Sequence, residues 1–213
     1  MKKFAAIFTS ILAAATLCKA GEAVQLFNGQ DLNNWSFFLE DATVDPNSVF
    51  SVQDGVINIK GQPFGYMYTK VKYEDFYLHA EWCYPTEPSN SGIFLYVQDP
   101  KFWPNAIECQ LFATKAGDFV LLGGSDMTEY KLPEGQTERP KFPIVEARGE
   151  SSEKPVGQWN SADIICKDGK ITVFINGKLR NEGTSVNKSG HIGLQSEGGT
   201  VLFRNVNLLN LKD

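Results

Sequence analysis

The chain has 213 residues, 42% of them hydrophobic, and a formal net charge of −5 from 20 basic and 25 acidic side chains. This is enough apolar material for a substantial core. The acidic balance and the scatter of Lys and Arg argue against a nucleic-acid partner.

The first twenty residues, MKKFAAIFTSILAAATLCKA, run from two lysines through an apolar stretch to small residues. That three-part order predicts a secretory signal cleaved after Ala20, and so a periplasmic or extracellular protein. Cys18 offers the alternative of a lipoprotein, but Leu17 before it is bulky for that role. The apolar run falls short of the ~20 residues a membrane-spanning helix needs, so no stable span is expected. The remainder, 21–213, is expected to form a single domain. Its three cysteines, Cys83, Cys109 and Cys166, lack any CxxC spacing. They are expected to be small buried hydrophobes, with one disulfide as an alternative.

Strand signals then dominate. SVQDGVINIKG (51–61) gives two short strands around Asp54-Gly55. YEDFYLHAEWCYP (73–85) alternates, with Phe76, Leu78, Ala80 and Trp82 on one face and Tyr77, His79, Glu81 and Cys83 on the other. SGIFLYVQ (91–98), AIECQLF (106–112) and FVLLGG (119–124) follow. The segment 125–158 holds four prolines and many charges, and predicts a long loop across one rim. SADIICKDGKITVFINGKLRNEG then carries Asp168-Gly169 and Asn176-Gly177, dipeptides that favour tight hairpins. GHIGLQSEGGTVLFRNVNLLNL supplies the last strands. About a dozen short strands with no helical period predict an all-β fold, an antiparallel two-sheet sandwich.

Side chains alternate across a strand. Ile107 and Cys109 directed to the core turn Glu108 and Gln110 outward. The same rule turns out His79 and Glu81, Gln195 beside Ile192 and Leu194, and Arg204 beside Val201 and Phe203. Two carboxylates, two carboxamides, an imidazole and a guanidinium are thus expected on one open face. Trp103, Tyr66, Tyr68 and Tyr96 are candidate platforms for sugar rings. The structural alternatives are a solvated outer face, Trp103 as a loop plug, and Arg204 as partner of Glu81 or Glu197.

The blocks LFNGQDLNNW (26–35), GYMYTKVKYEDFYLHAEW (65–82), NSGIFLYVQ (90–98), WPNAIECQL (103–111), AGDFVLLGG (116–124), KITVFINGK (170–178) and GHIGLQSEGGTVLFRNV (190–206) stand in this order. Together they resemble the 3-keto-disaccharide hydrolase domain family, over nearly all of 26–212. The resemblance implies a jelly-roll sandwich like those of the concanavalin A-like lectins and glucanases. It also implies cleavage of glycosides whose sugar is oxidised to a ketone at carbon 3. The family's cleft residues carry over onto Asn90, Glu108, Gln110 and Gln195, and less directly onto Glu81 and Arg204.

Retaining glycosidases place two carboxylates about 5–5.5 Å apart. Here the alternating pair is Glu108 and Gln110, one acid and one amide, which argues against double displacement. A 3-keto sugar has another route: a base removes the proton on carbon 2, the glycosidic oxygen leaves carbon 1, and water adds back. On this reading Glu108 is the base or the acid, with His79 or Glu81 as its partner. Gln110, Gln195, Asn90 and Arg204 would hold hydroxyls or the enolate oxygen, with Trp103 and Tyr68 as platforms. A divalent cation held by Glu and His is an option for the enolate role, although no motif has diagnostic metal spacing. The alternative function is a non-catalytic carbohydrate-binding, lectin-like domain. A structural surface-assembly domain is the third option.

Overall fold

β6 shows why these residues become strands. Its sequence FYLHAEWC buries Phe76, Leu78, Ala80 and Trp82 and leaves Tyr77, His79 and Glu81 only partly covered, the two-residue period of a pleated strand. The structure, a computed structural model, describes residues 21–211. The signal-like segment 1–20 and Cys18 lie outside them.

Fifteen strands follow in chain order: β1 (Ala23–Gln25), β2 (Trp35–Leu39), β3 (Phe50–Gln53), β4 (Val56–Ile59), β5 (Gly65–Thr69), β6 (Phe76–Cys83), β7 (Gly92–Val97), β8 (Ala106–Gln110), β9 (Phe119–Leu122), β10 (Ile144–Val145), β11 (Asn160–Lys167), β12 (Lys170–Ile175), β13 (Lys178–Thr184), β14 (His191–Ser196) and β15 (Val201–Asn210). They form two antiparallel sheets. One runs β13-β12-β11-β6-β15-β4-β3 with β1 beside β15, and the other runs β10-β9-β8-β7-β14-β5-β2. The fold is the all-β, two-sheet jelly-roll sandwich expected. Every predicted strand is present, while β1, β2 and β5 complete the sheets without having been read as strands. The 125–158 loop carries the two-residue strand β10 at the edge of β9. No helix among the described residues is long and apolar enough to cross a membrane.

Between the sheets lies one continuous apolar core, with Phe76, Leu78 and Trp82 from the first sheet meeting Met67, Ile93, Leu95, Ile107 and Leu194 from the second. Cys83, Cys109 and Cys166 are buried and unpaired, in keeping with their reading as small hydrophobes. Tyr96 belongs to this core and donates its hydroxyl to the Glu74 carbonyl. It is therefore not a sugar platform. A smaller apolar cluster of Tyr66, Phe94, Val97, Ala106, Val120 and Leu122 covers the opposite side of the second sheet, and the candidate site is built on that outer face.

Candidate functional site

Ile107 and Cys109 of β8 are fully buried in the inter-sheet core, so Glu108 and Gln110 point away from it. Glu108 lies opposite Phe94 of β7 and Val120 of β9, and Gln110 lies opposite Gly92. A hollow over this patch is lined by Asn90, Trp103, Glu108, Gln110, Val120, Leu122, Phe142, Ile144 and Glu197. The sequence-derived residues Glu108, Gln110, Asn90 and Trp103 are thus brought together.

Glu108 is only 2% exposed, and its Oε1 has no hydrogen-bond partner. Burial disfavours the carboxylate, and the negative charge of Glu197 adds to the effect, so its pKa stands well above the ordinary value. The room it occupies exists because residue 92 is glycine: a Cβ there would sit 2.2 Å from Glu108 Oε1 and 2.7 Å from its Cγ.

Glu197 is the second acid. Its Oε2 accepts from Asn90 Nδ2 and Gln195 Nε2, each at 2.9 Å. A carboxylate only accepts, so both amides turn their NH₂ groups to it. Asn90 Oδ1 and Gln195 Oε1 are left buried and unpartnered. Burial raises the Glu197 pKa, and the Gln195 bond pulls against that rise. The two carboxyls therefore differ in surroundings: Glu108 is enclosed and unsupported, Glu197 is supported by two amides. Such pairs divide acid and base roles. Gln195 is fully buried and reaches the hollow through Glu197. Gln110 is clamped, since its Oε1 accepts from the backbone N–H groups of Leu111 and Phe112 at 3.0 and 2.9 Å, and its Nε2 remains to donate to a ligand. Ser91 Oγ donates to the Gln195 carbonyl at 2.9 Å, fixing the Asn90 end of β7 against β14.

The other end of the hollow is aromatic. The Trp103 ring packs at 4.4 Å on Phe64 and 4.7 Å on Phe142. Trp103 has a φ of +52°, rare for a bulky residue and held only where the surroundings impose it. Tyr68 shares this outer face, tilted 5.9 Å from Tyr66 and edge-on to His191, but does not line the hollow. Tyr66 is fully buried, its hydroxyl donating to the Lys101 carbonyl.

His79, Glu81 and Arg204 are not part of this site. They belong to β6 and β15 of the first sheet, and turning away from the shared core carries them to the opposite outside of the sandwich. The expectation of a single face for all six polar residues is corrected here. Alternation says "away from the core", and a sandwich has two such sides. There they form their own network. His79 Nδ1 pairs with Asp163 Oδ1 at 2.7 Å, and Nε2 faces Glu81 Oε1 at 3.7 Å, an ion pair too long for a hydrogen bond. Arg204 Nε donates to Glu81 Oε2 at 2.6 Å, and its guanidinium lies 4.0 Å from the Trp159 ring centre. Arg204 is thus the structural partner of Glu81. Burial opposes the charged form of His79, but Asp163 and Glu81 outweigh it and raise its pKa to about 9. His79 beside it is the main cause that holds the Glu81 pKa at about 2, against burial and with help from Asn205 and Arg204.

Among the described residues no group of three or more His, Cys, Asp or Glu side chains is placed to hold a metal ion. The polar and packing residues of this hollow that sequence reasoning missed include Glu197 and Gly92, along with the apolar lining from Val120, Leu122, Phe142 and Ile144. Glu197 stands two residues past Gln195, so alternation carried one step beyond β14 is the signal that finds it.

A family model described as the 3-keto-alpha-glucoside-1,2-lyase-like domain matches residues 22–209. That description places the chain among carbohydrate-acting proteins. Among solved structures, a Parabacteroides distasonis protein provisionally assigned as a glycosyl hydrolase is similar with a TM-score of 0.63 at 24% identity, over 90% of this chain and 94% of that one. A Bacillus subtilis protein with a galectin-like fold has a TM-score of 0.62 at 13% identity, over 91% and 98%. The Bacillus licheniformis β-glucanase has a TM-score of 0.54 at 9% identity, over 91% and 99%. These likenesses show the fold, a jelly roll of the galectin-like and glucanase kind. No curated protein matches the chain.

Proposed function

Because this chain belongs to the 3-keto-alpha-glucoside-1,2-lyase-like family through residues 22–209, we propose that it cleaves glycosides whose sugar carries a ketone at carbon 3. The observation that carries the reading is the enclosed Glu108 carboxyl, with a free oxygen, beside the amide-supported Glu197 in one hollow.

The ketone acidifies the proton on carbon 2. Glu197, the better supported carboxylate, takes that proton. The electron pair forms the carbon 1–carbon 2 double bond, the glycosidic bond breaks, and Glu108 gives its proton to the departing oxygen. Hydration reverses the bookkeeping: Glu108 takes a proton from the water that adds to carbon 1, and Glu197 returns its proton to carbon 2. The Gln110 Nε2 donor suits the ketone oxygen as charge develops there. Asn90 Oδ1 is an acceptor for a sugar hydroxyl. General acid–base help of this kind is typically worth 10²–10⁴-fold. The compartment belongs to the same proposal: a reaction in the periplasm or outside the cell, for which the signal-like pattern of residues 1–20 is the support.

The test incubates the protein with an ordinary disaccharide and with its 3-keto form, following free sugar and, in D₂O, exchange at carbon 2. The expected result is cleavage of the keto form alone. Glu108→Gln should lose about 10²–10⁴-fold in release yet keep exchange at carbon 2. Glu197→Gln should lose both. Binding of either sugar with no turnover would replace this reading with the lectin-like one.

A further inference from the structure

The hollow has two chemically different halves, with Glu108 at their boundary. Along β8, Gln110 lies two residues to one side of Glu108 and Ala106 two residues to the other, about 7 Å each way. At the Gln110 end stand Asn90 and Glu197. At the Ala106 end, Leu122 is the cross-strand neighbour, and Trp103 and Phe142 close the hollow with their rings 4.7 Å apart. Val120, opposite Glu108, and Ile144, opposite Val120, make the side wall. The side chains of Leu122, Val120, Ile144 and Phe142 offer no hydrogen bond, so this wall gives an apolar ring more contact than it gives the hydroxyls of a second sugar. Trp103 is also held at positive φ, a conformation that its packing on Phe64 and Phe142 over-determines.

Resting on the reading of this hollow as a cleavage site, we propose that its apolar half is the leaving-group subsite, and that it favours 3-keto glycosides of arylalkyl or aryl alcohols over 3-keto disaccharides. The acid at position 108 then stands where the bond between sugar and leaving group must lie. The sugar occupies the amide and carboxylate half, where Glu197 reaches carbon 2.

The test compares benzyl and methyl 3-keto-glucosides, whose leaving alcohols are similarly basic, with the 3-keto disaccharide, by kcat/KM and by calorimetric binding. A ring moved from water into this half should favour benzyl over methyl by about tenfold to a hundredfold in both measurements, with the disaccharide below benzyl. Phe142→Ala should bring the benzyl-to-methyl ratio close to one. Ile144→Ser, at a position 49% exposed and so harmless to folding, should reduce the same ratio. A ratio near one in the unaltered protein, or a disaccharide preferred over benzyl, overturns the subsite. No turnover of any compound together with tighter benzyl binding overturns the cleavage reading while the subsite stands.

Discussion

Position 92 shows how small a group sets the chemistry. Gly92 does not need positive φ, but it must lack a Cβ, because that atom would stand 2.2 Å from Glu108 Oε1. Gly92→Ala therefore has to move the Glu108 carboxyl. Overpacking of this kind costs about 1–3 kcal/mol, and displacement of a catalytic group by about 1 Å costs on the order of 10²-fold in rate. Expected results are a modest fall in the urea midpoint and a kcat at least a hundredfold lower. An unchanged kcat would mean that Glu108 does not act from its observed position. The same scale shows what alternation can reveal. Glu108, Gln110, Asn90 and Trp103 come from β8 and the stretches flanking β7 and β8, which pair side by side. The outward sense of Glu108 and Gln110 was readable from alternation, whereas Asn90 came from the family resemblance and Trp103 from its suitability as a platform. His79 and Arg204 were equally readable as outward. Which outside they share depends on β6 pairing with β15 and β11, a non-local fact that local pattern does not contain.

At the scale of elements, the hairpins were legible because their turn chemistry is local. Asp168-Gly169 and Asn176-Gly177 take φ values of 52° and 85°, and 51° and 76°, the twin positive angles of a tight hairpin turn. The glycines differ in surroundings. A Cβ on Gly177 meets nothing within 4 Å, whereas one on Gly169 would stand 2.9 Å from the Ser185 carbonyl oxygen. Gly177→Ala should cost only the left-handed strain of about 1–2 kcal/mol, and Gly169→Ala should cost more by urea denaturation. Equal losses would show that backbone strain alone sets the penalty. Less legible was β15, where the register shifts between Arg204 and Asn207 and buried positions pass from Val201 and Phe203 to Val206 and Leu208. Asn205, at φ +52°, is the extra residue, and the bulge lets both Arg204 and Asn205 reach Glu81. Read as a long rim loop, 125–158 also supplies Phe142 and Ile144 to the hollow. Its charges and prolines hid that contribution, since only two of its residues pair as a strand.

Across the whole molecule the two outer faces treat charge in opposite ways, and stability should record the difference. On the first sheet, charges are paired. The Glu81 pKa is lowered from 4.5 to about 2, so its stabilisation is full above pH 4.5 and fades as pH falls toward 2. The His79 pKa is raised from 6.5 to about 9, so its stabilisation is full below pH 6.5 and is lost as pH rises toward 9. On the second sheet, Glu108 is enclosed without a counter-charge and its pKa is raised well above 4.5. Above pH 4.5 the unfolded chain has released this proton while the native chain keeps it, so stability falls with rising pH. Glu197 acts in the same direction. For these four groups the sum is a stability maximum near pH 4.5, where Glu81 has reached its full effect and the Glu108 and Glu197 losses begin, and His79 steepens the alkaline limb above pH 6.5. Glu108→Gln removes one contribution to the alkaline limb. Its stability relative to the unaltered protein should grow by up to about 1.4 kcal/mol per pH unit above pH 4.5, until the native carboxyl itself ionises. His79→Gln should instead flatten the fall between pH 6.5 and 9. Urea midpoints at pH 5, 6.5, 8 and 9 for the three proteins test both. If the Glu108→Gln and unaltered curves run parallel from pH 5 to 8, the enclosed acid holds no extra proton, and the division of roles between Glu108 and Glu197 loses its physical basis.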